Sequence, residues 1–374
     1  ASLKTYNKFT RIKRYDIKKQ IKKKEVRSIK MMKKMKKKNA KSLFDEELRL
    51  KKLSEKKDPL ELLKKNIDWE IFRDIAERET LKEDRGVGGK PPYDRVLLFK
   101  ILILQRLYNI SDDEIEYQIN DRLSFMRFLD LSLADDVPDS KTIWLFKNKL
   151  ANSEVDKELF DIFNKELEKK GLMINEGTII DASFVEVPKQ RNKKEENEDI
   201  KNGKVPEEWK RNKNKLRQKD TDARWTKKNN HSYYGYKNHV KVENKSKLIK
   251  KYEVTDASVH DSQVLEKLLD ETDENKPVYA DSAYVGQEEI FAKKKVKSQV
   301  CEKGYRGKPL TKEQKEENRK KSKVRARVEH VFGFIENSMN GSFIRSIGIK
   351  RAKFNIGLMN LTYNICRFLF LTRD

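Results

Sequence analysis

Two cysteines, Cys301 and Cys366, are all that the 374 residues contain, and two distant thiols can neither build a disulfide framework nor match a metal-ligand spacing. The four histidines, His231, His239, His260 and His330, fall at no zinc-binding interval. The chain has no glycine-rich phosphate loop, no HExxH pair and no nucleophilic serine or cysteine motif. Long apolar runs are missing too. The stretch from Val96 to Leu107 is cut by Lys100 and Arg106, well short of the roughly 18 to 20 apolar residues that a membrane span needs. The first thirty residues have no apolar core behind their charges, so a secretory signal is not expected. A reducing, cytoplasmic and nucleoid-associated setting is the expectation, with no membrane partner.

What the chain has in quantity is positive charge. Lys and Arg number 86 against 61 Asp and Glu, a net charge of +25, which favours a polyanionic partner, nucleic acid above all. Residues 1–42 hold eighteen of the basic side chains against Asp16 and Glu25 alone, and so read as a flexible basic arm, either one that captures phosphates by counterion release or a solvated tail. The 17 Phe, 13 Tyr and 4 Trp leave enough apolar material for two or three folded domains behind it.

From Ser42 the spacing turns helical. Leu97, Ile101, Leu104 and Tyr108 predict one buried helix face after the breaker Gly86 to Pro92. Ser111 and Glu114 form a capping-box signature for the next helix. Asp139 precedes a short helix expected to bury Ile143, Phe146 and Leu150 and to expose Lys141, Lys147 and Lys149, either a helix-turn-helix reader of DNA or part of a purely structural bundle. Beyond Gly171 the period becomes strand-like. Residues 178–187, "SYYGYKNHVKVE", "LIKKYEVTDASV", "PVYADSAYV" and "SQVCEKG" read as strands. Lys189 to Lys228 has no apolar period and reads as an exposed basic insertion. Asp261 is expected to cap the helix "SQVLEKLLD", Asp256 to sit in a turn, and His239 and His260 to line the site as strand and turn residues. Long helices are expected from about Lys312 to Asn337 and from Phe354 to Phe370.

Asp181 and Asp281 each follow a short apolar strand, after Ile179 and Ile180 and after Val278, Tyr279 and Ala280. A carboxylate among apolar neighbours must be paired, protonated or bound to a cation. If the strands are adjacent, both acids point into one crevice, where a hard divalent cation such as Mg²⁺ relieves their repulsion. Glu329, among Val328, Phe332 and Phe334 on the long helix, is the third candidate ligand. Two cations held by oxygen ligands can activate a nucleophile and stabilise the leaving oxygen at a phosphodiester.

These residues, with "SLFDEELRLKKL", "LSFMRFLDLSLADDVPDSKTIWLFKNKL", "IIDASFVEVP", "YYGYKNHVKVE", "VTDASVHDSQ", "YADSAY" and "RARVEHVFGFIE", make the chain resemble the DDE transposases of bacterial insertion sequences, specifically the insertion-sequence-five family, from about residue 43 to 370. The resemblance implies an α/β fold: a ribonuclease-H-like mixed sheet flanked by helices, preceded by an all-α DNA-binding domain and a basic N-terminal arm. The boundaries expected are 1–42 for the arm, 43–168 for the helical domain and 169–370 for the catalytic domain, with the basic insertion at 189–228. Asp181 would lie on the first strand, Asp281 on the fourth and Glu329 on a later helix, together holding two Mg²⁺ ions, with Mn²⁺ as a substitute.

The implied activity is cleavage at insertion-sequence ends followed by strand transfer. Its partners are double-stranded DNA, both terminal inverted repeats and target, and a second copy of the chain in a synaptic homodimer. Arg325, Arg327, Lys141, Lys147, Lys149 and Lys237 are the expected DNA contacts. Around its Glu the wider group shows Tyr, two residues, Arg, three residues, Glu, six residues, Lys. Here Arg325 and Glu329 match, while Ser322 and Glu336 stand at the Tyr and Lys positions. Two other expectations compete: a catalytically inactive or repurposed transposase that serves as a DNA-binding or architectural protein, and a structure-selective nuclease of the same fold.

Overall fold

Helix starts are where the local chemistry is plainest. Asp58, Asp94, Ser111 and Asp139 each accept a backbone N–H from the first turn of the following helix, at 3.0, 2.8, 3.3 and 2.9 Å, satisfying donors that a helix leaves free. The computed structural model describes residues 44–81, 91–228 and 230–372, with residues 19, 20, 22–24 and 27. Apart from those last six positions, the basic arm expected over residues 1–42 lies outside the described residues, as does the Gly86 to Lys90 part of the breaker. A helix, α1 (Asp45–Glu55), opens the continuous chain, and residues from Leu53 onward form one compact unit.

In that unit the helical part comprises α2 (Pro59–Asn66), α3 (Arg73–Thr80), α4 (Arg95–Leu107), α5 (Asp112–Asp121), α6 (Leu123–Leu129), α7 (Ser140–Asn152) and α8 (Asp156–Lys169). The capping box at Ser111 is only half made: Ser111 caps the Glu114 N–H, but the Glu114 carboxylate accepts from Gln118 instead. Helix α4 also departs from its expected single face. It is buried almost all round, with Val96, Leu98, Phe99, Leu102 and Ile103 enclosed as well as Ile101 and Leu104, whereas Tyr108 is exposed. It is the central helix of its layer, so every side meets a neighbour, and even Lys100 is enclosed and paired with Asp130 at 2.8 Å.

One sheet follows. Strand β1 (Thr178–Glu186) runs antiparallel to β3 (His231–Glu243), in register from Thr178 opposite Glu243 to Glu186 opposite Gly235. On the far edge of β3, β2 (Arg224–Lys228) and β4 (Ile249–Asp256) pair with successive halves of the strand. On the other side, β5 (Pro277–Ala280) runs parallel to β1, and β6 (Lys297–Val300) parallel to β5. Side-chain alternation splits β1 between two cores: Ile179 joins the large cluster shared with the helical part, and Ile180 a smaller one with Val264, Leu265, Val278 and Phe291. Helices α12 (Leu265–Leu268), α13 (Glu288–Lys293), α14 (Lys312–Arg325), α15 (Glu329–Met339) and α16 (Ile349–Leu371) complete the chain. No described helix is long and apolar enough to cross a membrane.

Three expectations are corrected. The segment 189–228 is folded, with α9 (Lys194–Lys201), α10 (Glu207–Arg211) and α11 (Lys213–Arg217) ahead of β2. Its core is Trp209, fully buried, whose indole N–H donates to Glu196 at 2.7 Å beneath the Lys215 and Lys219 ammoniums. A single aromatic side chain has no period, so apolar spacing could not register it. Asp261 does not cap the turn that follows it; His260 takes that place, and Asp261 accepts from Lys237 instead. The expected helix from 312 to 337 is broken by a 3₁₀ turn at Ala326–Val328.

Helix α16 packs against α4, α7, α8 and β4, joining the two layers. Its closest approach is at Gly357, where an added Cβ would stand 2.3 Å from the Tyr252 hydroxyl and 3.0 Å from Asp156 Cβ. Tyr252 donates to Asp156 there at 2.7 Å, both buried. Gly357→Ala is therefore expected to destabilise the protein by about 1–3 kcal/mol through overpacking, read as a lower urea midpoint at unchanged slope.

Candidate active site

The β1 residues Thr178, Ile179 and Ile180 are β-branched and fully buried, which pins the strand and fixes where the next residue emerges. In the parallel pair Thr178 lies opposite Val278 and Ile179 opposite Tyr279. Two residues on, that register sets Asp181 beside Asp281, just where β5 ends. Asp281 caps the short Ser282–Tyr284 turn by accepting the Ala283 N–H at 2.9 Å. The two acids expected from sequence to share a crevice are thus brought together at one end of adjacent parallel strands.

Their environment is costly for negative charge. Burial raises the Asp181 carboxyl above the usual aspartate range, and the Asp281 charge adds to the rise, against the pull of the Ala182 N–H, Arg325 and Lys228. Arg325, the last residue of α14, approaches Asp181 Oδ2 through Nη1 at 3.2 Å, and its own Nε is buried without an acceptor. Arg325 and Lys228 are the positive charges that act on Asp181.

Glu329 opens α15, one 3₁₀ turn beyond Arg325, and is exposed. Among the described residues no group of three or more His, Cys, Asp or Glu is arranged to hold a metal ion. The fold therefore gathers Asp181, Asp281 and Arg325 and leaves Glu329 on the adjoining helix start. The donor set suits a hard divalent cation: two carboxylates side by side, half shielded from water, offering oxygen ligands only.

The other expected contacts separate into two groups. Lys141 is exposed on α7, and Arg327 is exposed with its guanidinium on Asn244 Oδ1 at 2.8 Å. Lys147 and Lys149 do not face solvent as expected, because α7 packs beside α5 and α3. Lys147 pairs with Asp112 in the acidic first turn of α5, and Lys149 donates to the Thr80 carbonyl at 2.7 Å. Lys237 is buried and donates to Asp261 at 2.9 Å and the Val259 carbonyl at 2.7 Å. His239 is fully enclosed on β3, His260 is a turn cap, and His330 is exposed beside Glu329.

Sequence reasoning passed over Tyr284, which is buried behind the pair of acids, and Lys228, whose charge reaches Asp181. The spacing of Tyr284, three residues after Asp281 at the close of its turn, was the available signal. Lys228 had none, because β2 was not anticipated.

A family model described as Transposase DDE domain matches residues 174–365, and one described as Transposase domain (DUF772) matches residues 48–149. No solved structure matches the chain.

Proposed function

Because the chain belongs to the transposase DDE domain family, we propose that it cuts DNA at the ends of a mobile element and joins the freed 3′-hydroxyls to target DNA, in a reaction that depends on a divalent cation. The observation that carries this reading is the pairing of Asp181 with Asp281 across β1 and β5, with Arg325 on Asp181. Three antiparallel strands, β4, β3 and β1, followed by the parallel β5 and β6 support a ribonuclease-H-like reading, in which β2 would be an addition and Asp281 would follow the fourth strand.

Asp181 and Asp281 would hold the cation, with Glu329 completing the set. Mg²⁺ is the natural ion for all-oxygen ligands and Mn²⁺ its substitute, and two ions would supply Lewis-acid stabilisation of the attacking and leaving oxygens. The protein's own share is positional. β1 and β5 hold the carboxylates rigidly, and Arg325, beside Asp181, would hold a phosphate flanking the cut. Arg327 lies two residues further along the same basic path. The helical part, with Lys141 exposed on α7, would read the terminal repeats, and a second copy of the chain would bring the two ends together.

A protein that only binds DNA has no need of two half-buried acids side by side, which cost stability unless a cation is present. The test is a gel assay with labelled DNA carrying the element ends. Nicked and strand-transfer products should appear with Mg²⁺ or Mn²⁺ and vanish with chelator, while band-shift binding persists. Nicks without joined product would favour a nuclease, and binding without either product would overturn the proposal.

A further inference from the structure

Behind the carboxylate pair one polar group has no use in the fold. Tyr284 closes the turn that Asp281 caps and is 1% exposed, its ring in the cluster of Ile180, Val264, Leu265 and Phe291. Its hydroxyl has no hydrogen-bond partner. An unsatisfied buried hydroxyl costs about 1–3 kcal/mol, and phenylalanine would pack the same ring without that cost. Packing alone therefore does not account for tyrosine here.

The surroundings of the hydroxyl are acidic. After burial itself, Asp261, Asp181 and Asp281 are what hold its proton on, well above the ordinary tyrosine range. Asp261 is fixed from its other side by Lys237, which the Val259 carbonyl also anchors. The result is a donor that holds its proton more firmly than an ordinary tyrosine, set beside carboxylates that can accept it in a hydrogen bond. Carboxylates that bind a metal are commonly oriented by such a donor, and its loss typically costs 10- to 100-fold in affinity.

Resting on the reading that Asp181 and Asp281 hold a divalent cation, we propose that Tyr284 is a positioning residue of that site, its hydroxyl donating a hydrogen bond to the carboxylate pair when the cation is bound. The donor remains unsatisfied in the free protein because the two acids are then oriented by the Ala182 and Ala283 N–H groups and by Arg325. In the cation-bound site a carboxylate oxygen would accept from the phenol. Part of the cation's binding energy then comes from satisfying a group that folding left unpaired.

The experiment uses the full chain without DNA and Mn²⁺ as the probe. Binding is followed by calorimetric titration and by the Mn²⁺-dependent rise in melting temperature, for the wild type, Tyr284→Phe and Asp281→Asn. Tyr284→Phe should melt at or above the wild-type temperature without metal and bind Mn²⁺ about 10-fold or more weakly. Asp281→Asn should not bind it measurably.

Equal Mn²⁺ affinity in Tyr284→Phe and wild type overturns the role of the hydroxyl while leaving the carboxylate site standing. A lower metal-free melting temperature in Tyr284→Phe also overturns it, since the hydroxyl would then already be satisfied in the fold. A wild type that binds no Mn²⁺, or an Asp281→Asn variant that binds it normally, overturns the underlying reading and this proposal with it.

Discussion

Asp181→Asn should lose metal-dependent DNA cleavage by about 10³-fold or more, on the estimate that a lost metal ligand removes about 4 kcal/mol of transition-state stabilisation, and yet melt no lower than the wild type. The two halves of that expectation have one cause. Burial and Asp281 raise the Asp181 carboxyl above its ordinary range, so a carboxyl whose folded value exceeds its unfolded one costs stability at every pH above the folded value, and that cost fades as pH falls through it. Asparagine keeps the shape and removes the charge, so at neutral pH the cost disappears together with the ligand.

Glu329→Gln is the control for this reasoning. Glu329 is exposed, so its replacement should bring the same loss of cleavage with no gain in stability. Scanning calorimetry beside the labelled-end gel reads both quantities. Wild-type cleavage by Asp181→Asn would remove Asp181 from the chemistry, and a marked fall in its melting temperature would make the Arg325 contact a structural one.

A second large effect is expected from His239, as a loss of stability in mild acid. Its Nε2 lies 2.9 Å from Thr255 Oγ1, and that hydroxyl donates to the Asp256 carbonyl at 2.9 Å. The network therefore assigns the ring proton to Nε2 and leaves Nδ1 a bare acceptor, buried and unpartnered. Burial holds the imidazole down to about 4, against 6.5 for the free side chain. Asp261 and Glu253 pull upward, and Lys237 pushes further down.

The folded value lies below the unfolded one, so the stabilisation is complete above about pH 6.5 and is lost as pH falls toward 4. It amounts to about 3 kcal/mol across that window. Urea unfolding at pH 7.0, 5.5 and 4.5 should show a steeper decline for the wild type than for His239→Gln, whatever the absolute stability of the variant. Parallel declines would contradict the assignment.

The strands around the acids were legible because β-branched runs bounded by turns have one physical meaning. Asp181, Asp281 and the β3–β4 pair stand where spacing placed them. Wherever tertiary neighbours decide, spacing was silent. Lys147 and Lys149 have the sequence look of a solvent-facing basic stripe, but Asp112 and the Thr80 carbonyl, distant in sequence, take their charges. The folding of residues 189–228 turns on Trp209 and Glu196, a pair that no period marks. The break at Ala326–Val328 falls where no proline or glycine stands, so no breaker residue announced it.

The amides of α16 have a consequence for how the molecule is put together. Asn360 exchanges two hydrogen bonds with Asn238 on β3, at 2.8 and 3.0 Å, and Asn364 bonds Asn164 on α8 and both backbone groups of Ile249. All these side chains are buried, so a helix rotated or slid by one turn would leave several amides unpaired at about 1–3 kcal/mol apiece. A greasy final helix could otherwise dock in several registers against two half-finished layers. The asparagines act as a key with a single seat. Because α16 follows both layers in the chain, neither layer has its full set of neighbours until that helix is made.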